Sequence, residues 1–309
     1  MKVRETIVIV ALATCCLLSS CGNRRGAHHA CSQDSRKDST EFTMIKVPTI
    51  INDEQQRMDY IMSHYWEHLS ERCYAEQVEK QFSNWIWLSE RTDINTAGNS
   101  LIQAYQKSPQ RILHLSEKYL YDPQSPYRNE DLYGRLAAYI GGDLAQTAKL
   151  CALNAVGTRA ADFLMEDARG HQFTLYSIKA PYTLLFFSNP YCNACKEIIE
   201  TLKGSDLVSD ALNNKILMVV NMYIDEDLEQ WRSYLGNYPR IWRTAYDPTF
   251  TLRDSEKYNI RAIPSLYLLD DNKVVLLKDA PTDKIMARLA MEFKKYPQFE
   301  KYYENNTEK

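Results

Sequence analysis

The feature that most constrains this chain is an unbroken apolar run, Thr183-Leu184-Leu185-Phe186-Phe187, with two cysteines, Cys192 and Cys195, just beyond it. A run without polar alternation reads as a strand covered on both faces, and such strands belong to sheets layered between helices. Ser188-Asn189-Pro190-Tyr191 turns the chain, and Ile198, Ile199 and Leu202 then recur at helical spacing up to Gly204. Cys192 thus stands at the start of a helix, with Cys195 one turn in. Short strands are expected at Phe163–Met165 and Phe173–Leu175, around the turn Glu166–Gly170, and a second buried strand at Ile216–Val220. A helix at 225–236 carries Leu228, Trp231 and Leu235, and Ala245-Tyr246 reads as a short strand segment. Ile263-Pro264-Ser265 opens the strand Leu266–Leu269, which Asp270–Lys273 turns into Val274–Leu277. Thr282–Phe293 closes the unit as a helix with Ile285, Leu289 and Phe293 inward. The fold class is α/β.

The half before it has no strand-like alternation. Apolar stripes at helical spacing run through Met58–Leu69, Val78–Leu88, Leu101–Tyr105, Ile112–Tyr119 and Leu132–Ile140, with a last short helix at Leu144–Leu153. Asn52, with Gln55 three residues on, is the expected cap of the first helix. These five or six helices form an all-α domain over residues 45–156, followed by the α/β domain over 157–297 and a polar tail over 298–309. His64-Tyr65-Trp66-Glu67-His68 fits a zinc-binding spacing if both histidines share one helix face. No third ligand is singled out, and the aromatic residues of the segment call for packing, so the structural reading is preferred and no metal is assigned.

Residues 1–20 read as a secretory leader: Lys2 and Arg4, an apolar stretch from Ile7 to Leu18 too short to span a bilayer comfortably, then Ser19 and Ser20. Leu18-Ser19-Ser20-Cys21 resembles the bacterial lipobox, which implies cleavage before Cys21 and acylation of that residue. Residues 21–44 are polar and nearly free of aliphatic side chains, as in a flexible tether. The expectation is a membrane-anchored lipoprotein facing the periplasm, with the outer membrane favoured by Gly22-Asn23. The net charge of −3 and the lack of any Lys/Arg run exclude nucleic acid as a partner.

The order of strand, C-x-x-C at a helix start, crossover strand, Ile-Pro hairpin and final helix resembles the thioredoxin fold, a central mixed sheet flanked by helices. Tyr258-Asn259-Ile260-Arg261-Ala262-Ile263-Pro264-Ser265-Leu266 is similar to the cis-proline segment of thioredoxin almost residue by residue. The leading hairpin and the helix at 225–236 resemble the TlpA/ResA-type branch. The segment around His64–His68 resembles a helical domain of unknown function that precedes thioredoxin-like domains in bacterial lipoproteins. The resemblance implies a thiol–disulfide oxidoreductase acting on disulfide-containing extracytoplasmic proteins, with a membrane thiol reductase as electron donor and no cofactor. The reductase direction is favoured.

Within that frame a helix N-terminus favours a thiolate, so Cys192 is the expected nucleophile and Cys195 the resolving thiol. The resemblance makes Pro264 cis and places it beside the sulfurs, with the backbone of Ile263 pairing to substrate; Tyr191 is the other expected substrate contact. The residues a peroxidase would need before its cysteine are replaced by Asn189 and Leu185. Phe186 stands where thioredoxin has a buried aspartate, and Asn193-Ala194 is neither the Gly-Pro of thioredoxin nor the Pro-His of strong oxidants. A C-x-x-C can also be a permanent structural disulfide, which gives the alternative reading: a redox-inert module holding a partner or glycan at the membrane. Of the other cysteines in the mature chain, Cys31, Cys73 and Cys151, a Cys73–Cys151 bridge is the one pairing considered.

Overall fold

Capping and apolar spacing lay out the helical half in a computed structural model that describes residue 42 and residues 45–252 and 257–303. Cys21, Cys31, the leader and most of the tether lie outside the described residues. Helix α1 (Glu54–His64) starts at Asp53, whose carboxylate accepts from the Gln56 N–H at 2.8 Å. The cap is one residue later than the expected Asn52. Helix α2 (Ala75–Ser89) packs behind it, and Asp93 caps α3 (Ile94–Lys107) by accepting from the N–H groups of Asn95 and Thr96. Pro109 opens α4 (Pro109–Ser116) at its first position, where its missing N–H leaves no partner wanting. That helix runs on as a π-helical turn at 117–121. Asn129 caps α5 (Glu130–Ile140) and α6 (Ala145–Cys151) completes the half. The core they enclose is aromatic, with Trp66, Phe82 and Trp85 fully buried beside Leu101, Leu120 and Leu136.

Helix α1 ends at His64, so His68 sits in an exposed turn and the two histidines do not share a helix face. The His64 ring stacks instead on Tyr60, centroids 4.1 Å apart. Among the described residues no cluster of His, Cys, Asp and Glu is arranged to hold a metal.

The second half is built on one mixed sheet of seven strands: β1 (Leu164–Asp167), β2 (Gln172–Thr174), β3 (Tyr182–Phe187), β4 (Leu217–Tyr223), β5 (Arg243–Tyr246), β6 (Ser265–Leu269) and β7 (Val275–Leu277). Their spatial order is β2-β1-β5-β4-β3-β6-β7, with β3–β4 and β4–β5 parallel and the other pairs antiparallel. The central β3 is buried at every position, which accounts for its unbroken apolar sequence. Leu184 and Phe186 face the layer of α7 (Asn193–Lys203), α8 (Asp206–Asn213) and α10 (Thr282–Phe293). Leu185 and Phe187 face the other way, onto Val220, Met222 and Tyr258. Helix α9 (Leu228–Tyr234) stands between β4 and β5 with Trp231 fully buried.

The structure adds one helix to the expected elements and corrects one expectation. Helix α8 was not foreseen, although Ser205 caps it and Val208, Ala211 and Leu212 make its buried stripe. The start of the supposed polar tail is structured: Pro297–Tyr302 forms a 3-10 turn whose Phe299 is fully buried, ring centroid 5.2 Å from Phe293. A residue from the segment beyond α10 thereby completes the core. A third finding concerns the considered bridge: Cys73 and Cys151 are both buried free thiols.

Candidate active site

The site is assembled where the central strand ends. Beyond Phe187 the chain turns through Asn189 and Pro190 to Tyr191, whose φ of 61° lies in the left-handed region that a bulky side chain rarely occupies. Cys192 follows as the N-cap of α7, with its sulfur accepting from the N–H of Cys195 at 3.1 Å. The two cysteines form a disulfide across a Cα–Cα distance of 5.2 Å. Cys192 is half-buried, whereas Cys195 is 2% exposed. The N–H groups of a first helical turn have no intrahelical partners and carry the positive end of the macrodipole, so a thiolate released at Cys192 is stabilised in place.

The Ile263–Pro264 peptide is cis, and both residues are half-buried. Ile263 packs on the same apolar cluster as Cys192 and also touches the cluster on the opposite face of the sheet. Tyr191 is 68% exposed, its ring edge-on to Tyr234 of α9 at 5.2 Å, and Tyr234 in turn meets Tyr238 at 5.5 Å. Tyr191, Cys192 and Cys195 thus follow the end of β3, and Ile263 and Pro264 lead into β6, whose Ser265 pairs with Phe187 at that same end.

Behind the disulfide, Phe186 is fully buried and edge-on to Trp242, so no carboxylate occupies that position. Its register partner on β4 is Asn221. The Asn221 amide donates to the Ser188 hydroxyl at 2.6 Å, and that hydroxyl lies 3.3 Å from the Tyr238 hydroxyl. All three residues are buried, and burial pushes the Tyr238 phenol above its usual pKa, so the cluster is neutral at physiological pH. Sequence reasoning missed this cluster. The available signal was Asn221, the single polar residue in the run Leu217–Tyr223. Asn189 donates to the Asp225 carboxylate, tying the turn before Cys192 to the loop after β4.

Residues 181–275 match the family described as "Thioredoxin-like", and residues 20–151 match "Domain of unknown function (DUF5106)". A thioredoxin-like protein from Bacteroides caccae ATCC 43185 is 33% identical, with a TM-score of 0.73 over 81% of this chain and 98% of its own. The chain belongs to the thioredoxin-like family. A match over that share takes in the helical half of this thioredoxin-like chain as well as its sheet. Two shorter structures also match. The C-terminal domain of an uncharacterized protein from Bacteroides fragilis NCTC 9343 is 42% identical over 44% of this chain and 98% of its own, TM-score 0.43. A domain of a possible thiol-disulfide isomerase from Cytophaga hutchinsonii ATCC 33406 is 29% identical over 46% and 96%, TM-score 0.39. No curated protein matches the chain.

Proposed function

We propose that this thioredoxin-like protein is a thiol–disulfide oxidoreductase working in the reductase direction on extracytoplasmic proteins. The observation that carries the reading is the sulfur of Cys192 at the N-cap of α7, accepting a helix N–H and more open to solvent than Cys195. In the reduced protein the Cys192 thiolate attacks one sulfur of a substrate disulfide. One S–S bond forms between protein and substrate, the substrate S–S bond breaks, and the leaving sulfur departs as a thiolate that takes up a proton. Cys195 then loses its proton and attacks the Cys192 sulfur, so the second substrate thiolate leaves and the Cys192–Cys195 disulfide forms. Two electrons have passed to the substrate. An external dithiol donor returns the pair to the reduced state, and a membrane thiol reductase is the partner proposed for that step.

Exposed Tyr191, next to Cys192 in the chain, and Ile263, which packs on the same apolar cluster as Cys192, are the proposed contacts for the substrate chain, with Pro264 as the proposed neighbour of the sulfurs. The proposed location, anchored in a membrane through acylated Cys21 and facing the periplasm, is supported by the sequence Leu18-Ser19-Ser20-Cys21 after an apolar leader. Reduction of insulin disulfides in the presence of dithiothreitol is the test of activity. The wild-type chain accelerates it, Cys192→Ser falls to the uncatalysed rate, and Cys195→Ala accumulates mixed disulfides. Undiminished turnover in Cys192→Ser overturns the proposal. For the anchor, Cys21→Ser moves the protein from the membrane fraction to the soluble one.

A further inference from the structure

The helical half meets the sheet half through buried charges, and those charges converge on one loop. Glu130, the first residue of α5, has a side chain only 2% exposed. One of its carboxylate oxygens accepts from Arg261 Nε and from Asn259 Nδ2, the latter at 3.2 Å. The other lies 3.1 Å from Lys278 Nζ in an ion pair outside hydrogen-bond geometry, because Lys278 donates to the carbonyls of Cys151 and Leu153. Arg261 also donates to the Tyr121 carbonyl and lies over the Tyr121 ring at 4.1 Å. Four residues on, Ser265 donates to Asp279 at 2.7 Å, and Asp279 accepts from Arg128 Nε at 3.2 Å. Asp131 adds a contact of 3.5 Å to Lys278. Three carboxylates and three cations are thus interlocked, and the side chains of all six are 13% exposed or less.

A buried network of this kind is a poor source of net stability, because desolvating six charges offsets most of their attraction, and an apolar contact would join the two halves as well. What it does provide is fixed geometry, since Arg261 and Arg128 each donate to a carboxylate and to a backbone carbonyl at once, which ties each guanidinium to one arrangement. The geometry in question is that of the loop between Arg261 and Ser265, which contains Ile263 and Pro264.

We infer that Glu130 and Arg128, both from the helical half, are positioning residues for the substrate-binding loop: they grip it at Arg261 and, through Asp279, at Ser265. The helical half is then a working part of the exchange site, holding the edge along which the substrate chain lies. This rests on the proposed disulfide exchange for its functional consequence and on contacts alone for the grip itself. A displaced loop presents its backbone wrongly to a polypeptide but not to a small dithiol, which needs only the sulfurs.

The experiment uses the full chain with Glu130→Gln, Arg128→Met and the conservative Arg128→Lys, the last two covering the case in which Glu130→Gln fails to fold. Backbone amide exchange of residues 260–266 is followed against the buried strand β4, and steady-state kinetics are measured on a disulfide-containing peptide. Reduction of the Cys192–Cys195 disulfide by dithiothreitol is timed separately. The expected result is faster exchange confined to 260–266, KM for the peptide raised about tenfold with kcat little changed, and an unaltered dithiothreitol rate. Arg128→Lys recovers part of the KM. Unchanged exchange at 260–266 in the variants, or a dithiothreitol rate that falls in step with the peptide reaction, overturns the inference. Should the wild-type chain show no peptide reduction at all, it is the exchange reading that fails, and the amide data still decide whether the network holds the loop.

Discussion

Each half of the molecule holds two described cysteines, and only Cys192 of the sheet half is open to solvent. Cys73 and Cys151 are sealed in or beside the aromatic core of the helical half, and burial pushes the Cys151 thiol up to about 12. Cys192 and Cys195 stand at the end of the central strand, where the first turn of α7 supplies an N–H to the outer sulfur. The difference teaches that reactivity here follows backbone position rather than sulfur chemistry. A thiol among apolar side chains keeps its proton, whereas one at a helix start gives it up.

The sharpest way to break that contrast is alkylation. In the reduced protein at pH 7, iodoacetamide should modify Cys192 more than about a thousandfold faster than Cys151, since each pKa unit removes tenfold in thiolate and access adds to it. Peptide mapping by mass spectrometry reads both rates. Similar rates at the two residues end the comparison. Next in size is the helical core itself. Trp85, fully buried with its indole N–H donating to Ser100 at 3.1 Å, should cost about 3–5 kcal/mol when replaced by alanine. Urea unfolding measures the loss, and the Cys192 alkylation rate under native conditions should not move. A matching change in that rate would show that the core of one half tunes the sulfur of the other.

The smallest effect concerns acid. Hydrogen bonds from Lys118 and Tyr119 hold Glu79 below its ordinary 4.5, and in the sheet half the Tyr182 hydroxyl, with Arg288 and Lys295, does the same for Glu292. A carboxylate depressed in the folded state contributes stability at pH values above its unfolded pKa and loses it as the pH falls through the folded value. Stability should therefore be level from neutrality to about pH 5 and decline below, with Glu79→Gln and Glu292→Gln each flattening the decline. These pairs are partly solvated, so each contribution is modest. A decline that begins well above pH 5 assigns the acid sensitivity to groups other than these two carboxylates.

Much of the fold was legible because its signals are local. The unbroken run before Cys192 marked the strand buried on both faces, and the stripe Ile285, Leu289, Phe293 marked α10 with its observed limits. That Cys192 stands at a helix start was legible from spacing and element type, whereas the cis Ile263-Pro264 peptide was legible only through the resemblance to thioredoxin. Where reading failed, the deciding partner was distant. Whether Phe299 is tail or core depends on Phe293 and the rest of that cluster. The helix reading of His64–His68 required continuation past His64, but Trp66 and Leu69 turn inward to the helical core.

Sequence alone determined most of the strands and helices, and that a pair of sulfurs lies at a helix start, because periodicity, turns and caps act over a few residues. Tertiary structure alone decided that Glu130 meets Arg261, that Arg128 reaches Ser265 through Asp279, and that Asn221, Ser188 and Tyr238 share one buried cluster. Those contacts join residues far apart in the chain. A charged side chain in a linear sequence reads as solvated until folding takes its water away and leaves only the partner that packing supplies.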